Sequence, residues 1–307
     1  MRKAFLDTLE TLAAQDERVV LLTGDLGFMV LESFRERFPT RFYNVGVAEQ
    51  NMIGVATGLA EAGFIPFAYS IITFAALRPY EFIRNGPILH GLPVRIVGVG
   101  GGFEYGAAGP THHGLEDLAI MRTQPGLTVI APADAPQTHN ALNQTWDAEG
   151  PIFYRLGKND RETIPDLDGR FSLGTVEQVR VGDDLALVSV GAITQEAVSA
   201  ADALREQGIM ASVYVVGDMT TETSASLAAA LREHRLVMSV EAHYINGGLG
   251  SMIAEVIAEQ GLGARLVRCG VRSASDGVSG SNAFMLRRHG LDSTSLVSQA
   301  QAALAVS

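Results

Sequence analysis

The chain has 307 residues, of which 47% are hydrophobic and 19% are charged, with 33 glycines and a net charge of −11. This length and composition predict a folded α/β protein of about two domains and exclude a disordered chain. The acidic balance, without any cluster of lysines and arginines, excludes nucleic acid as a partner. The lone cysteine, Cys269, excludes an internal disulfide framework and fits a reducing compartment. The first residues lack a signal-peptide pattern, and no apolar run reaches the ~18 residues that span a bilayer, so we expect a cytoplasmic protein with no membrane partner.

Apolar runs and helical patterns alternate along the first half of the chain. After an N-terminal helix, the pattern predicts strands at 19–22, 42–45, 65–69, 94–99, 127–130 and 152–154. It predicts helices at 4–14, 48–62, 74–90, 115–122 and 135–146. Strands that alternate with helices form βαβ units, so we expect a doubly wound, mostly parallel sheet with helices on both faces.

The stretch 157–184 breaks this alternation, because it is polar and rich in turn residues, and we interpret it as a linker. A second α/β set follows, with predicted strands at 185–190, 211–216, 236–240 and 264–269. Its predicted helices are at 194–207, 222–233, 248–260 and 294–305. We place the boundary near residue 175, which gives a first domain of 1–175 and a smaller doubly wound α/β domain of 176–307.

The segment from Tyr43 to Met52 contains one carboxylate, Glu49, where a predicted strand meets a helix rich in glycine and alanine. Apolar neighbours such as Val47 and Ile53 leave this carboxylate poorly solvated, so we expect it to be paired or to take part in chemistry. The alternative is structural, since a glutamate at a helix start is stabilised by the helix dipole and by nearby N–H groups.

Two further pairs of residues are candidates for a site. Phe74 and Arg78 are four residues apart in a predicted helix, so an aromatic face and a cation would line one cavity; the alternative for the aromatic ring is core packing. His112 and His113 are adjacent in a loop rich in glycine, without the spacing of zinc ligands, and the alternative is that they are solvated loop histidines. We predict no metal site on this chain.

Four motifs in one order resemble the pyrimidine-binding domain of transketolases and, more distantly, of 1-deoxyxylulose-5-phosphate synthases. They are Val47-Ala48-Glu49-Gln50, Phe74 with Arg78, Gly109-Pro110-Thr111-His112, and Ile130-Ala131-Pro132-Ala133-Asp134. The second half resembles the transketolase C-terminal domain through Val240-Glu241-Ala242-His243 and Gly247-Gly248-Leu249-Gly250-Ser251. The resemblance covers nearly the whole chain.

The resemblance implies catalysis with thiamine diphosphate. In that family, a glutamate at the position of Glu49 hydrogen-bonds the aminopyrimidine and promotes loss of the thiazolium C2 proton. The aromatic side chain at the position of Phe74 stacks on the pyrimidine, and we include Val47 and Arg78 among the cofactor-binding residues. A histidine at the position of His112 reaches toward the diphosphate and the sugar, so Glu49 and His112 are the expected catalytic residues.

The absence of a diphosphate-binding motif also bears on the function of the chain. The complete family has a separate domain that holds the diphosphate and Mg²⁺, and this chain has no motif of that type. The chain therefore resembles the second subunit of a split transketolase, and the resemblance implies a diphosphate-binding partner subunit, an α2β2 heterotetramer and Mg²⁺ held by the partner. The substrate would be a small sugar or keto compound.

The substrate loop departs from the transketolase pattern. An aspartate that contacts donor hydroxyls is replaced by Ala108, a histidine for the sugar phosphate falls near Gly100, and an arginine is replaced by Lys158. We expect Glu104, Tyr105 and His113 to form the altered wall, together with His112, Ala108 and Lys158. Ketol or related acyl transfer would be kept, with a donor or acceptor other than the usual pentose phosphates.

Two alternatives remain. The β subunit of a 2-oxo-acid dehydrogenase E1 shares the fold and the glutamate, although the Gly109–His112 loop favours a transketolase. A catalytically silent regulatory subunit is the other alternative, and the presence of Glu49, Phe74 and His112 argues against it.

Overall fold

The computed structural model describes residues 1–27, 30–159 and 163–306. It contains a six-stranded sheet followed by a five-stranded sheet, each packed with helices. This confirms the expected fold class of two α/β domains. No helix in the described ranges is long and apolar enough to cross a membrane.

The first sheet is entirely parallel, in the order β2-β1-β3-β4-β6-β5. Its strands are β1 (Val19–Thr23), β2 (Phe42–Asn44), β3 (Ile65–Ile71), β4 (Arg95–Val99), β5 (Thr128–Ile130) and β6 (Ile152–Leu156). Its helices are α1 (Arg2–Gln15), α2 (Glu32–Arg37), α3 (Glu49–Glu61), α4 (Ile72–Ala76), α5 (Tyr80–Ile83), α6 (Asp117–Arg122) and α7 (Ala135–Thr145). Strands β1, β4 and β6 are buried at every position and β3 at all but its last, as expected for strands covered on both faces.

The second sheet has the order β11-β10-β8-β9-β7. Its strands are β7 (Val176–Arg180), β8 (Leu185–Val190), β9 (Ala211–Val216), β10 (Leu236–Tyr244) and β11 (Arg265–Val271). The helices that accompany it are α8 (Thr194–Arg205), α9 (Thr221–Leu231), α10 (Leu249–Glu259), α11 (Asn282–Arg288) and α12 (Ser293–Leu304). Strand β7 is antiparallel to its neighbour β9, at the edge of the sheet.

The two domains are packed firmly on each other. One cluster of buried apolar side chains includes Val20 of β1, Val129 of β5 and Val188 of β8. Backbone hydrogen bonds also cross between the domains, such as Met219 N–H to the Val129 carbonyl oxygen at 2.9 Å. The second domain therefore packs against β5, an edge strand of the first sheet.

Two expectations about the elements are wrong. The single helix predicted at 74–90 is broken into α4, α5 and a π-helical turn at Arg84–Ile88, because Pro79 and Pro87 interrupt the backbone hydrogen bonds. Phe74 and Arg78 therefore do not share a helix, since α4 ends at Ala76. The stretch that we interpreted as a linker contains β7. This strand is half-exposed at the edge of the sheet, and its polar residues do not give the apolar pattern by which the other strands were predicted.

Candidate functional site

The site begins at the point where the strand order of the first sheet reverses. The chain leaves β1 for β2 on one side and returns to β3 on the other side of β1. In open α/β sheets, ligands bind at the carboxyl ends of the strands at such a reversal. Gly24 follows β1 here, and Ser70 lies near the end of β3.

Glu49 is the first residue of α3 and points into this reversal point. It is only 1% exposed, and Ser70 Oγ donates to its Oε1 at 3.5 Å. A Cβ at Gly24 would come within 3.5 Å of Glu49 Oε1, so the glycine leaves room beside the carboxylate. Arg78 supplies the opposite charge, and its Nη1 donates to Glu49 Oε2 at 2.9 Å. The carboxylate is buried, as its apolar neighbours predicted, and it is paired with a cation.

The Arg78 guanidinium fills the space between this carboxylate and the Phe74 ring, and we call this space the slot. The guanidinium carbon of Arg78 lies 3.9 Å from the centroid of the Phe74 ring while the same guanidinium bonds Glu49. The slot thus accepts a planar group that donates hydrogen bonds to the carboxylate and stacks on the ring. Val47, two residues before Glu49, is 70% exposed.

The slot continues into a row of aromatic and cationic side chains. The His112 ring packs edge-on against Phe74, with 5.1 Å between the centroids, and Tyr105 lies 6.5 Å from His112 on the other side. Lys158 Nζ lies 4.5 Å from the centroid of Tyr105. The structure therefore brings together, in one continuous series of contacts, Glu49, Arg78, Phe74, His112, Tyr105 and Lys158.

The loop after β4 sets the position of this row. Gly100 has φ +85°, a conformation that favours glycine, and a Cβ there would lie 2.2 Å from the Tyr105 ring. The loop then forms short 3₁₀ turns at Gly106–Ala108 and Pro110–His112. Ala108 is exposed in the first of these turns. His112 Nδ1 is 2.9 Å from Thr111 Oγ1.

Two residues expected in the substrate wall are placed differently. His113 is buried, with its ring edge against Phe103 and its Nε2 3.3 Å from the Gly106 carbonyl oxygen, so it does not face the open row. This corrects the expectation for His113, because a histidine between two glycine-containing turns can fold inward to an apolar ring. The carboxylate of Glu104 accepts the Lys158 N–H at 3.0 Å and lines a cavity between the domains.

A buried polar network behind the site escaped the sequence analysis. Arg155 of β6 donates from Nε to Asp117 Oδ2 at 2.7 Å and from Nη2 to the Ala242 carbonyl oxygen at 3.0 Å. Glu241 accepts from Leu249 N–H and from the next backbone N–H of α10. An arginine within the apolar run of β6 was the available signal, since a buried charge requires a partner.

Burial perturbs the acid–base properties of this network. Desolvation raises the pKa of Glu241 to about 7, against the opposing effect of the two N–H groups of α10. Desolvation lowers the pKa of His243, whose Nε2 accepts the Ala119 N–H. Burial also raises the pKa of the Cys269 thiol to about 12, so this cysteine is a core residue without thiolate reactivity.

Comparisons with known proteins agree with this architecture. The family model described as "Transketolase, pyrimidine binding domain" matches residues 1–162, and "Transketolase, C-terminal domain" matches residues 174–296. A putative transketolase C-terminal section from Methanocaldococcus jannaschii is 38% identical over 96% of this chain and 93% of its own length. One of the subunits of the apulose-4-phosphate transketolase from Phocaeicola vulgatus is 34% identical over 87% of this chain and 86% of its own length.

A solved structure resembles the whole chain. It is described as a split gene transketolase, an inactive β4 tetramer, and it has 35% sequence identity and a TM-score of 0.88. The match covers 99% of this chain and 98% of that chain. The similarity therefore extends through both domains.

Proposed function

Because the chain belongs to the transketolase family, we propose that it is one subunit of a split, thiamine-diphosphate-dependent transketolase. It carries the pyrimidine-binding and C-terminal domains, and a partner subunit carries the diphosphate site. The enzyme transfers a ketol or related acyl unit from a ketose-type donor to an aldehyde-type acceptor. As a subunit of this kind it acts in the cytoplasm.

The observation that carries the proposal is the slot between Glu49 and Phe74. A planar, nitrogen-rich group already fits there, since the Arg78 guanidinium stacks on the ring and donates to the carboxylate. An aminopyrimidine ring has the same requirements, namely an aromatic face to stack on and a buried carboxylate for its ring nitrogen. The residues present therefore fit the cofactor, and Arg78 has to swing aside when the ring enters.

Thiamine diphosphate, when bound, supplies the carbanion chemistry of ketol transfer. The protein binds and orients it. Glu49 holds a proton in common with the ring nitrogen, because a carboxylate at 1% exposure has little water to compete for that bond. Phe74 fixes the plane of the ring, and Val47 together with the displaced Arg78 side chain forms the remaining edge of the slot.

The row beyond Phe74 is the proposed substrate side. His112 lies next to Phe74 and stabilises negative charge on the substrate oxygen. Tyr105 and Lys158 extend the row, and Lys158 presents a point charge suited to an anionic group. Ala108 leaves space where an aspartate would contact donor hydroxyls, so the donor differs from the usual pentose phosphates.

The diphosphate and Mg²⁺ are assigned to the partner. No three acidic, histidine or cysteine side chains in the described part of the chain lie together as a metal site. The exposed Val47 beside the slot supports a second chain covering this face. The similar split-gene protein is described as inactive when it forms a β4 tetramer, which supports an α2β2 assembly for the active form here.

The test is reconstitution. The purified chain is mixed with the subunit encoded beside it, with thiamine diphosphate and Mg²⁺, and ketol transfer is assayed from a panel of ketoses. We expect the chain alone to be inactive and the mixture active. We expect Glu49→Gln to lower kcat by about 10²–10⁴-fold, the range for removing a proton-transfer group.

Glu61→Gln is the matched control, because Glu61 is the exposed last residue of the same helix. It should leave kcat unchanged. Full activity of Glu49→Gln would exclude the proposed role of the carboxylate, and activity of the isolated chain would exclude the split arrangement. Turnover of 2-oxo acids instead of ketoses would favour the dehydrogenase alternative.

A further inference from the structure

The loop that carries His112 is closed at its base within the first domain. Gly102 and Gly114 exchange backbone hydrogen bonds, with N···O distances of 2.8 and 2.9 Å. We call residues 103–113, which lie between these two glycines, the His112 loop. Phe103 and His113 are its first and last residues, and their rings pack edge-on with 5.1 Å between the centroids. The two rings therefore meet directly at the base of the loop.

The second domain adds a third ring to this pair. His289, which follows the last residue of α11, stacks on Phe103 with 5.0 Å between the ring centroids and 7° between the ring planes. Burial lowers the pKa of His289, and the nearby charge of Arg288 acts in the same direction, against the attraction of Asp276. The imidazole is therefore neutral at pH 7 and stacks on Phe103 without burying a charge.

A close backbone contact joins the His112 loop to the second domain at a second point. The Gly106 carbonyl oxygen accepts from the Gly280 N–H at 3.2 Å and from the Gly109 N–H at 3.1 Å. The Nε2 atom of His113 lies 3.3 Å from the same oxygen. A Cβ on Gly106 would come within 2.6 Å of the Gly280 carbonyl oxygen and within 3.3 Å of Met285 Cγ. The second domain therefore leaves no room for a side chain at this turn of the loop.

His112 and His113 face opposite sides of the loop. His113 is 6% exposed and packs inward on Phe103, whereas the ring of His112 packs on Phe74, with 5.1 Å between the centroids. Consecutive residues share one planar peptide group, so a rotation of the backbone that moved His113 away from Phe103 would also turn His112 away from Phe74. The position of His113 therefore sets the direction of His112.

We propose that His289 is a positioning residue for His112. It stacks on Phe103, which together with the Gly106 carbonyl oxygen holds His113, and His113 fixes the backbone that presents His112 to the substrate. This role rests on the proposed function, in which His112 stabilises negative charge on the substrate oxygen. It gives the second domain a part in catalysis, since the series of contacts from the slot to the substrate side is formed by residues of the first domain.

The test is a double-mutant cycle in the two-subunit enzyme. We expect His289→Ala to lower kcat about 10–100-fold and to leave the Kd for thiamine diphosphate unchanged, because misplacing a catalytic group by about 1 Å costs up to that much in rate. In the His112→Gln background, His289→Ala should lower kcat by no more than about twofold further, since its effect passes through His112. His289→Phe keeps a flat ring for stacking and should recover most of kcat. Wild-type kcat in His289→Ala, or an equal loss in both backgrounds, would overturn the proposal.

Two matched controls separate positioning from stability. His234 also packs its ring on an aromatic ring of the second domain, that of Tyr214, but it lies just before β10 begins. His234→Ala should lower the midpoint of thermal unfolding as His289→Ala does and leave kcat unchanged. Gly106→Ala should reproduce the fall in kcat of His289→Ala, whereas Gly263→Ala, with open space around its Cβ, should not. An equal loss of kcat in His234→Ala would assign the effect to stability and overturn the proposal.

A measurement without catalysis distinguishes this role from the proposed function. The imidazole Cε1–H signal of His112 is followed by NMR in the full-length chain labelled at histidine, and it is assigned by its loss in His112→Gln. We expect the signal to shift in His289→Ala, to return toward its wild-type position in His289→Phe, and to stay in place in His234→Ala. If the two-subunit mixture lacked ketol transfer while this shift was present, the proposed function would fail and the positioning contact would stand. An unmoved His112 signal in His289→Ala would overturn the positioning role whatever the activity of the mixture.

Discussion

The buried ion pair between Arg155 and Asp117 is the most consequential contact behind the site, and Asp117→Asn tests it. Asparagine keeps the shape of the side chain and removes its charge. The Arg155 and Asp117 side chains are 5% and 2% exposed, and the guanidinium would remain buried without a counter-charge. Breaking such a pair by removing one partner costs about 3–5 kcal/mol of unfolding free energy.

The expected shift in thermal midpoint follows from chain length. An unfolding entropy of about 2.1 cal/mol/K per residue converts that loss into a fall of about 5–8 °C for this chain. The assay is thermal unfolding followed by circular dichroism, with urea unfolding as a second measurement.

The chain supplies a matched control in Asp202→Asn. Asp202 pairs with Arg180 at the same 2.7 Å, but its side chain is 52% exposed. Such a pair contributes about 0.2–1 kcal/mol, so the control should lower the midpoint by ~2 °C or less. If both variants shifted the midpoint equally, the reasoning from burial would be refuted.

Two further predictions concern the slot and the network. Arg78→Met should tighten thiamine diphosphate binding to the two-subunit complex about 5–30-fold, measured by fluorescence titration. The reason is that about 1–2 kcal/mol of stacking on Phe74 and ion pairing with Glu49 no longer competes with the cofactor. Weaker binding would show that the guanidinium binds the cofactor, and Arg84→Met is the control. The raised pKa of Glu241, about 7, means that the folded chain keeps a proton which the unfolded chain releases from about pH 4.3 upward. The contribution of Glu241 to the free energy of unfolding therefore falls by roughly 3 kcal/mol between pH 5 and 8. Urea unfolding of Glu241→Gln over this pH range should lack that fall. Parallel pH profiles for the wild-type chain and the variant would contradict the prediction.

Continuous apolar runs predicted the buried strands well. Val19–Leu22 and Leu185–Val190 are covered on both faces, so their hydrophobicity alone identifies them. The edge strand β7 has no such run, because edge positions tolerate polar residues, and its pairing with β9 depends on tertiary packing. The helix break at Pro79 was readable from the sequence, since proline removes a backbone donor.

The candidate site divides in the same way. The local sequence placed Glu49 at a helix start among apolar residues, and its burial followed from that. The ion pair of Glu49 with Arg78, 29 residues away, could not be predicted from the local sequence. It requires α4 to end before Arg78, so that the Arg78 side chain can fold back over Phe74. The burial of His113 also depends on tertiary packing, since both a buried and an exposed histidine are compatible with that loop sequence.

By itself, the sequence determined two α/β domains, a buried carboxylate at a strand-to-helix junction and the family resemblance. Those properties depend on local patterns of hydrophobicity and on short motifs. Only the tertiary structure decided that Arg155 meets Asp117 and a carbonyl 87 residues away, beside a cavity between the domains. The physical reason is that such contacts form where strands from distant parts of the chain end at the same edge. The sequence of one strand does not specify which strand will lie beside it.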